Sequence, residues 1–185
     1  MSHPSSPLSR RMLLAWLTVA GLQAIAATPP LPEWVAGVPG ARLQGSGRLK
    51  FLGLHIYDIR LWVSEGFTAE SFDQRPLALE IEYARALAGR RIAERSLEEM
   101  QRIAPIPAAQ GSIWLTSMKQ AFPDVIEGDR LIGLYRPGEG VRFFHNGKLR
   151  SDVADPDFAR AFFAIWLSPK TSEPKLRLAL LGTGG

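Results

Sequence analysis

The chain has 185 residues, 46% of them apolar and 22% charged, with a formal net charge of +4 and no cysteine. Length and apolar content suit one globular domain with a real core and exclude a disordered chain. The missing cysteine excludes a disulfide scaffold, a thiol nucleophile, a zinc-thiolate site and an iron–sulfur cluster.

The N-terminus places Arg10-Arg11 before a run of mostly apolar residues and the small triplet Ala24-Ile25-Ala26. These are the three parts of a secretory signal, with cleavage expected after Ala26 and the mature protein expected in the periplasm. The run, interrupted by Thr18, Gly21 and Gln23, falls short of the ~20 residues needed to span a bilayer. Ser9-Arg10-Arg11-Met12 loosely matches a twin-arginine signal, so the export route stays open between the two systems. Without a cysteine after the triplet, lipid anchoring is excluded. Residues 1–26 carry two of the 22 basic side chains and no acid, so the remaining 159 residues have 20 basic and 18 acidic groups, a net charge of +2. That balance gives no reason to expect a nucleic-acid partner.

Residues 28–40, with Pro29, Pro30, Pro32 and Pro39, predict an extended, non-helical lead-in to a domain spanning 27–185. From Ala41 to Val63 the β-branched and aromatic content, broken by Gly45, Gly47 and Gly53, predicts two or three strands or one long bent strand. Tyr57, Ile59, Leu61 and Val63 share one face of it, and Ile56, Asp58, Arg60 and Trp62 the other. The alternation over Leu77–Tyr83 predicts a half-buried strand. A helix follows over Ala84–Ile103, whose mixed charges Arg90, Arg91, Glu94, Arg95, Glu98 and Glu99 read as a solvated face, and a second over Ser112–Phe122, with Ile113, Leu115, Met118 and Phe122 as core. Strands follow over Arg130–Tyr135 and Val141–His145, and Asn146-Gly147 marks a hairpin. Asp155-Pro156 is a helix start for an almost wholly apolar, buried helix ending at Leu167, and a last helix over Pro174–Leu181 stops at Gly182. The order predicts an α+β domain, a mostly antiparallel sheet with helices packed on it.

His55 and His145 lack partners at metal-ligand spacing, so no metal site is expected, and no phosphate loop, dinucleotide fingerprint or nucleophile elbow is present, so no cofactor is expected. The candidate ligand groups are Arg48, Tyr57, Arg60, Tyr83 and Arg85, polar residues in or beside apolar strands. An arginine aimed into an apolar cavity is costly unless it meets an anion, which it binds in bidentate fashion, with a tyrosine hydroxyl able to share it. The alternative is a guanidinium reaching solvent or pairing with Asp58, Glu80 or Glu82.

Taken in order, Gly45-x-Gly47-Arg48-Leu49, Leu52-Gly53-x-x-Ile56-Tyr57-Asp58-x-Arg60-Leu61-Trp62, Glu82-Tyr83, Ala121-Phe122, Gly128-Asp129, Tyr135-x-Pro137-Gly138-x-Gly140, Asn146-Gly147 and the run from Phe158 to Leu167 resemble the bacterial secreted branch of the chalcone isomerase-like family. The resemblance covers residues 40–182. It implies an open-faced β-sandwich, a long antiparallel sheet with a layer of helices and an apolar cleft between them. Family enzymes cyclise a chalcone by adding a phenolate to an enone, with an arginine matching Arg48 stabilising the developing charge. The family's other polar site positions fall on Leu52, near Ile165 and in the region before Trp114, where the hydroxyl and amide groups are missing. Non-catalytic relatives bind fatty acids, with an arginine and a tyrosine on the carboxylate. The expectation is a non-catalytic binder of a small amphipathic anion such as a fatty acid, with Arg48 on the carboxylate and Tyr57 or Tyr83 assisting. The alternatives are an isomerase or lyase acting on another unsaturated carbonyl compound, and a ligand-free interaction module whose protein partner is left open.

Overall fold

The computed structural model describes residues 33–183; the expected signal over 1–26 and its cleavage site lie outside the described residues. The domain is built on six antiparallel strands in chain order: β1 (Arg42–Phe51), β2 (Leu54–Val63), β3 (Leu77–Tyr83), β4 (Arg130–Arg136), β5 (Gly140–His145) and β6 (Lys148–Val153). Among the described residues five α-helices accompany them: α1 (Glu33–Ala36), α2 (Gly89–Ile103), α3 (Ala108–Ala121), α4 (Pro156–Leu167) and α5 (Pro174–Leu181). This is the expected α+β class, a single open antiparallel sheet carrying a layer of helices.

Strand alternation divides the sheet into two unlike faces. Ile59, Leu61, Leu79, Tyr83, Leu131 and Phe143 turn toward the helices and form the main core with Phe158, Phe162 and Phe163 of α4 and Leu176 and Leu180 of α5. Helix α4 begins as its sequence requires: Asp155 accepts from the Phe158 backbone N–H at 2.9 Å, and Pro156 occupies the first turn. The same carboxylate accepts from Trp114 Nε1 at 2.8 Å, tying α3 to the α4 cap. Helix α5 lies across β1, where Gly45 allows a backbone approach no side chain would permit: a Cβ there would stand 2.2 Å from the Ala179 carbonyl oxygen.

Four elements depart from the sequence expectation. The supposed non-helical lead-in contains α1, whose four residues Glu33–Ala36 include no proline; the next proline is Pro39, beyond its end. Trp34 and Val38 then cover Ala78, Ile132, Leu134 and Phe144 on the other sheet face. Strand β3 is therefore buried on both faces rather than half-buried. Helix α2 starts at Gly89 rather than Ala84, since its first N–H is satisfied by Asp124 at 2.8 Å from a distant loop and the Gly89 site has room for no Cβ against the Phe122 and Pro123 carbonyls. Helix α3 starts directly after Pro107, and its Ile113, expected in the core, is exposed.

Candidate functional site

Between the sheet and α2 and α4 lies a cavity of about 420 Å³. Its floor is Leu49, Tyr57, Leu79, Ile81, Tyr83, Leu131 and Phe143 from the sheet; its roof is Ile92 and Ser96 of α2 with Phe162, Ile165 and Trp166 of α4. The volume falls within the ~300–1,000 Å³ typical of small-molecule sites, and the predominantly apolar lining with a few polar groups is the usual chemistry of such sites. Gly133 also lines it, and the Phe163 and Phe143 rings close over that glycine, 3.2 and 3.5 Å from where a Cβ would be.

Polar groups gather at one end. Trp166 donates from Nε1 to the Tyr57 hydroxyl at 2.9 Å, which fixes the phenol and leaves its own proton to be donated. The Tyr83 ring meets Tyr57 edge-on with centroids 6.2 Å apart. Burial raises the pKa of both hydroxyls well above the usual tyrosine value, only partly offset at Tyr57 by the Trp166 hydrogen bond, so both stay protonated. Glu99, also in the lining, is raised by burial but lowered further by hydrogen bonds from Arg102 and Ser172 and by the charge of Arg95, so its net shift is downward. Arg91 and Arg95 of α2 stand on the lining with their guanidinium groups toward solvent; Arg91 pairs with Glu94 at 3.4 Å, and Arg95 with Glu98 at 3.1 Å and with Glu99.

Of the five sequence candidates, Tyr57 and Tyr83 line this cavity and the three arginines do not. Arg48 lies on the opposite sheet face, because its neighbour Gly47 backs onto Leu176 of α5 and Leu49 lines the cavity. There Arg48 Nε donates to Asp58 at 2.7 Å, and His55 Nε2 lies 3.3 Å from the same carboxylate oxygen. Arg60 shares that face, 3.2 Å from Glu82 and 3.7 Å from Glu80, with Arg130 completing the cluster at 2.9 Å from Glu82 and 3.5 Å from Glu80. Arg85 is exposed in the loop between β3 and α2. The arginines that do stand on the cavity lining are Arg91 and Arg95, which the sequence presents as part of a solvated helix face. The signal lay in the helical period: Ile92, Ser96 and Glu99 form the inward stripe, and Arg91 and Arg95 flank it.

The described residues hold no cluster of three or more potential metal ligands, and no helix among them is long and apolar enough to cross a membrane. A family model described as chalcone isomerase-like matches residues 39–182. An uncharacterized protein of Haemophilus influenzae is 29% identical over 149 residues, which make up 80% of this chain and 72% of that protein. The crystal structure of an Arabidopsis thaliana fatty-acid binding protein superposes with a TM-score of 0.62 at 14% identity, covering 78% of this chain and 88% of that one, a likeness of fold.

Proposed function

The chain belongs to the chalcone isomerase-like family, and from that premise we propose that it is a non-catalytic periplasmic binder of a small amphipathic anion of the fatty-acid type. The observation that carries this reading is the apolar cavity between sheet and helices, with cations only at its edge. In this arrangement the hydrocarbon chain lies against Leu79, Ile81, Leu131 and Phe143. The anionic end leaves the cavity beside Arg91 and Arg95. Tyr57 and Tyr83 supply neutral donors inside, suited to a carbonyl or hydroxyl oxygen.

The non-catalytic part of the reading rests on proton handling. General acid–base catalysis of the isomerisation of an unsaturated carbonyl compound is most effective from a group that exchanges a proton near neutrality. The two hydroxyls are held protonated, and Glu99 is held ionised by its donors. The superposed plant protein is itself described as a fatty-acid binding protein, which supports the ligand class. Periplasmic residence is supported by the signal pattern over residues 1–26. Native mass spectrometry of the purified protein tests the ligand: a co-purifying mass that fragments as an acyl chain is expected, and a protein that carries none and gains none from added oleate refutes the reading. The N-terminal mass of the same sample tests cleavage near Ala26.

A further inference from the structure

The β1–β2 hairpin carries three apolar side chains that the fold leaves in water: Phe51 at 62% exposure, Leu52 at 87% and Leu54 at 52%. Leu52 and Gly53 form its two-residue turn with φ of +48° and +79°. Such a turn needs positive φ at both central positions, which glycine and asparagine adopt readily and a branched apolar side chain resists. Backbone strain and an exposed leucine coincide at one residue, and neither serves the stability of the fold.

The tip also projects. Pairing of β2 with β3 ends at Tyr57 and Tyr83, while the hairpin continues to the Phe51–Leu54 pair. Three residues at about 3.3 Å each make an arm of about 10 Å beyond the body of the sheet. That reach matches the ~5–10 Å to which apolar groups of peripheral proteins enter the boundary between lipid headgroups and acyl chains. Of the basic residues near the tip, Arg48 and His55 both face Asp58, while Lys50 is exposed and forms no ion pair among the described residues. Phe51 belongs to the cavity lining as well as to the tip, so one apolar surface runs from the arm into the cavity, with Arg91 and Arg95 also on its lining.

We infer that the β1–β2 tip is a docking arm for a bilayer surface bearing anionic headgroups. Leu52 and Leu54 enter the headgroup–acyl boundary and Lys50 stays at headgroup level. Phe51 forms the threshold across which an acyl chain passes between bilayer and cavity. The inference rests on the reading of the cavity as an acyl-chain site.

Partition of the purified full chain onto vesicles of phosphatidylglycerol and phosphatidylethanolamine tests it, compared among variants so that any contribution of residues 1–26 is common to all. Leu52→Asn places in the turn a residue that favours it, so the melting temperature is expected to hold or rise while partition falls about tenfold or more. Leu54→Ser is expected to lower partition without altering the turn. Lys50→Ser is expected to weaken binding to these vesicles and leave binding to pure phosphatidylcholine unchanged. Partition unmoved by both Leu52→Asn and Leu54→Ser overturns the inference. So does a tip whose substitution abolishes only self-association in gel filtration, which makes it a contact between copies. Oleate-induced thermal stabilisation without vesicles reads the cavity separately: Leu52→Asn keeps the wild-type shift, and a wild type with no shift overturns the acyl-chain reading instead.

Discussion

Glu80 offers a direct separation of what holds the sheet from what holds a ligand. Its carboxylate is 6% exposed in the middle of β3, accepts from Trp62 Nε1 at 3.0 Å, and lies 3.7 Å from Arg60 and 3.5 Å from Arg130. In Glu80→Leu both guanidinium groups still have Glu82 and partial access to water, so their loss is small. The Trp62 indole N–H, half-buried beneath α1, loses its acceptor, and a stranded donor costs about 1–3 kcal/mol. A mid-range loss of about 2 kcal/mol corresponds to a fall of about 4–8 °C in melting temperature for a domain of this size. Glu80→Gln keeps an acceptor oxygen for the indole and is expected to cost under about 1 kcal/mol. Urea unfolding followed by tryptophan fluorescence measures both. Because the cluster lies on the face away from the cavity, neither variant changes oleate affinity at temperatures where it is folded. Equal destabilisation by Gln and Leu refutes the hydrogen-bond argument; an affinity that falls with either variant refutes the separation of the two faces.

Other perturbations read other parts of the structure. Asp58 is held below its ordinary pKa of 3.8, first by the Arg48 hydrogen bond and also by His55, so the pair's contribution to stability is present above that value and is lost as pH falls through the lower folded value. Arg48→Met is therefore expected to be less stable than wild type at pH 6 and indistinguishable from it in strong acid; a gap independent of pH contradicts the pairing. Burial raises Tyr57, Tyr83 and Tyr135 above the usual tyrosine value of 10, so the unfolded chain ionises first, stability falls as pH rises past that value, and phenolate absorbance is expected to appear only together with alkaline unfolding. Smooth titration of a folded protein near pH 10 contradicts it. Gly45→Ala is expected to cost about 1–3 kcal/mol or more by forcing α5 off β1, since the obstacle is the Ala179 backbone. Gly47→Ala is expected to cost less, because it meets the movable Leu176 side chain; equal thermal shifts for the two contradict the close approach.

Much of the fold was legible because its signals are local. Asp155-Pro156, Asn146-Gly147 and the stop at Gly182 each state their geometry within a few residues, and α4, the β5–β6 hairpin and α5 stand where those signals put them. What escaped depends on partners far along the chain. The start of α2 is set by Asp124, 35 residues from Gly89. The double burial of β3 is set by α1, whose Trp34 packs against Trp62 with centroids 5.7 Å apart. The site divides the same way. Tyr57 and Tyr83 face the cavity because they alternate with core residues. Arg48 and Arg60 stand out in the sequence as charges among apolar neighbours, yet alternation sends them to the far face, where acids on adjacent strands meet them. Arg91 and Arg95 carry no such contrast, because each has an acid within helical reach and reads as ordinary surface.

The central claim is that the cavity under α2 and α4 holds an acyl chain, and ligand-dependent melting of wild type beside Ser96→Trp tests it most directly. Among the described residues Ser96 bonds only back to the Ile92 carbonyl, at 2.8 Å, so the substitution removes no tertiary hydrogen bond there and fills the cavity with an indole. Oleate at a hundred times its dissociation constant stabilises a single-site binder by about 2.7 kcal/mol, or about 5–11 °C for a domain of this size. The account predicts that rise in the wild type and its loss in a folded Ser96→Trp. A wild type that does not respond, or a filled cavity that responds equally, contradicts it.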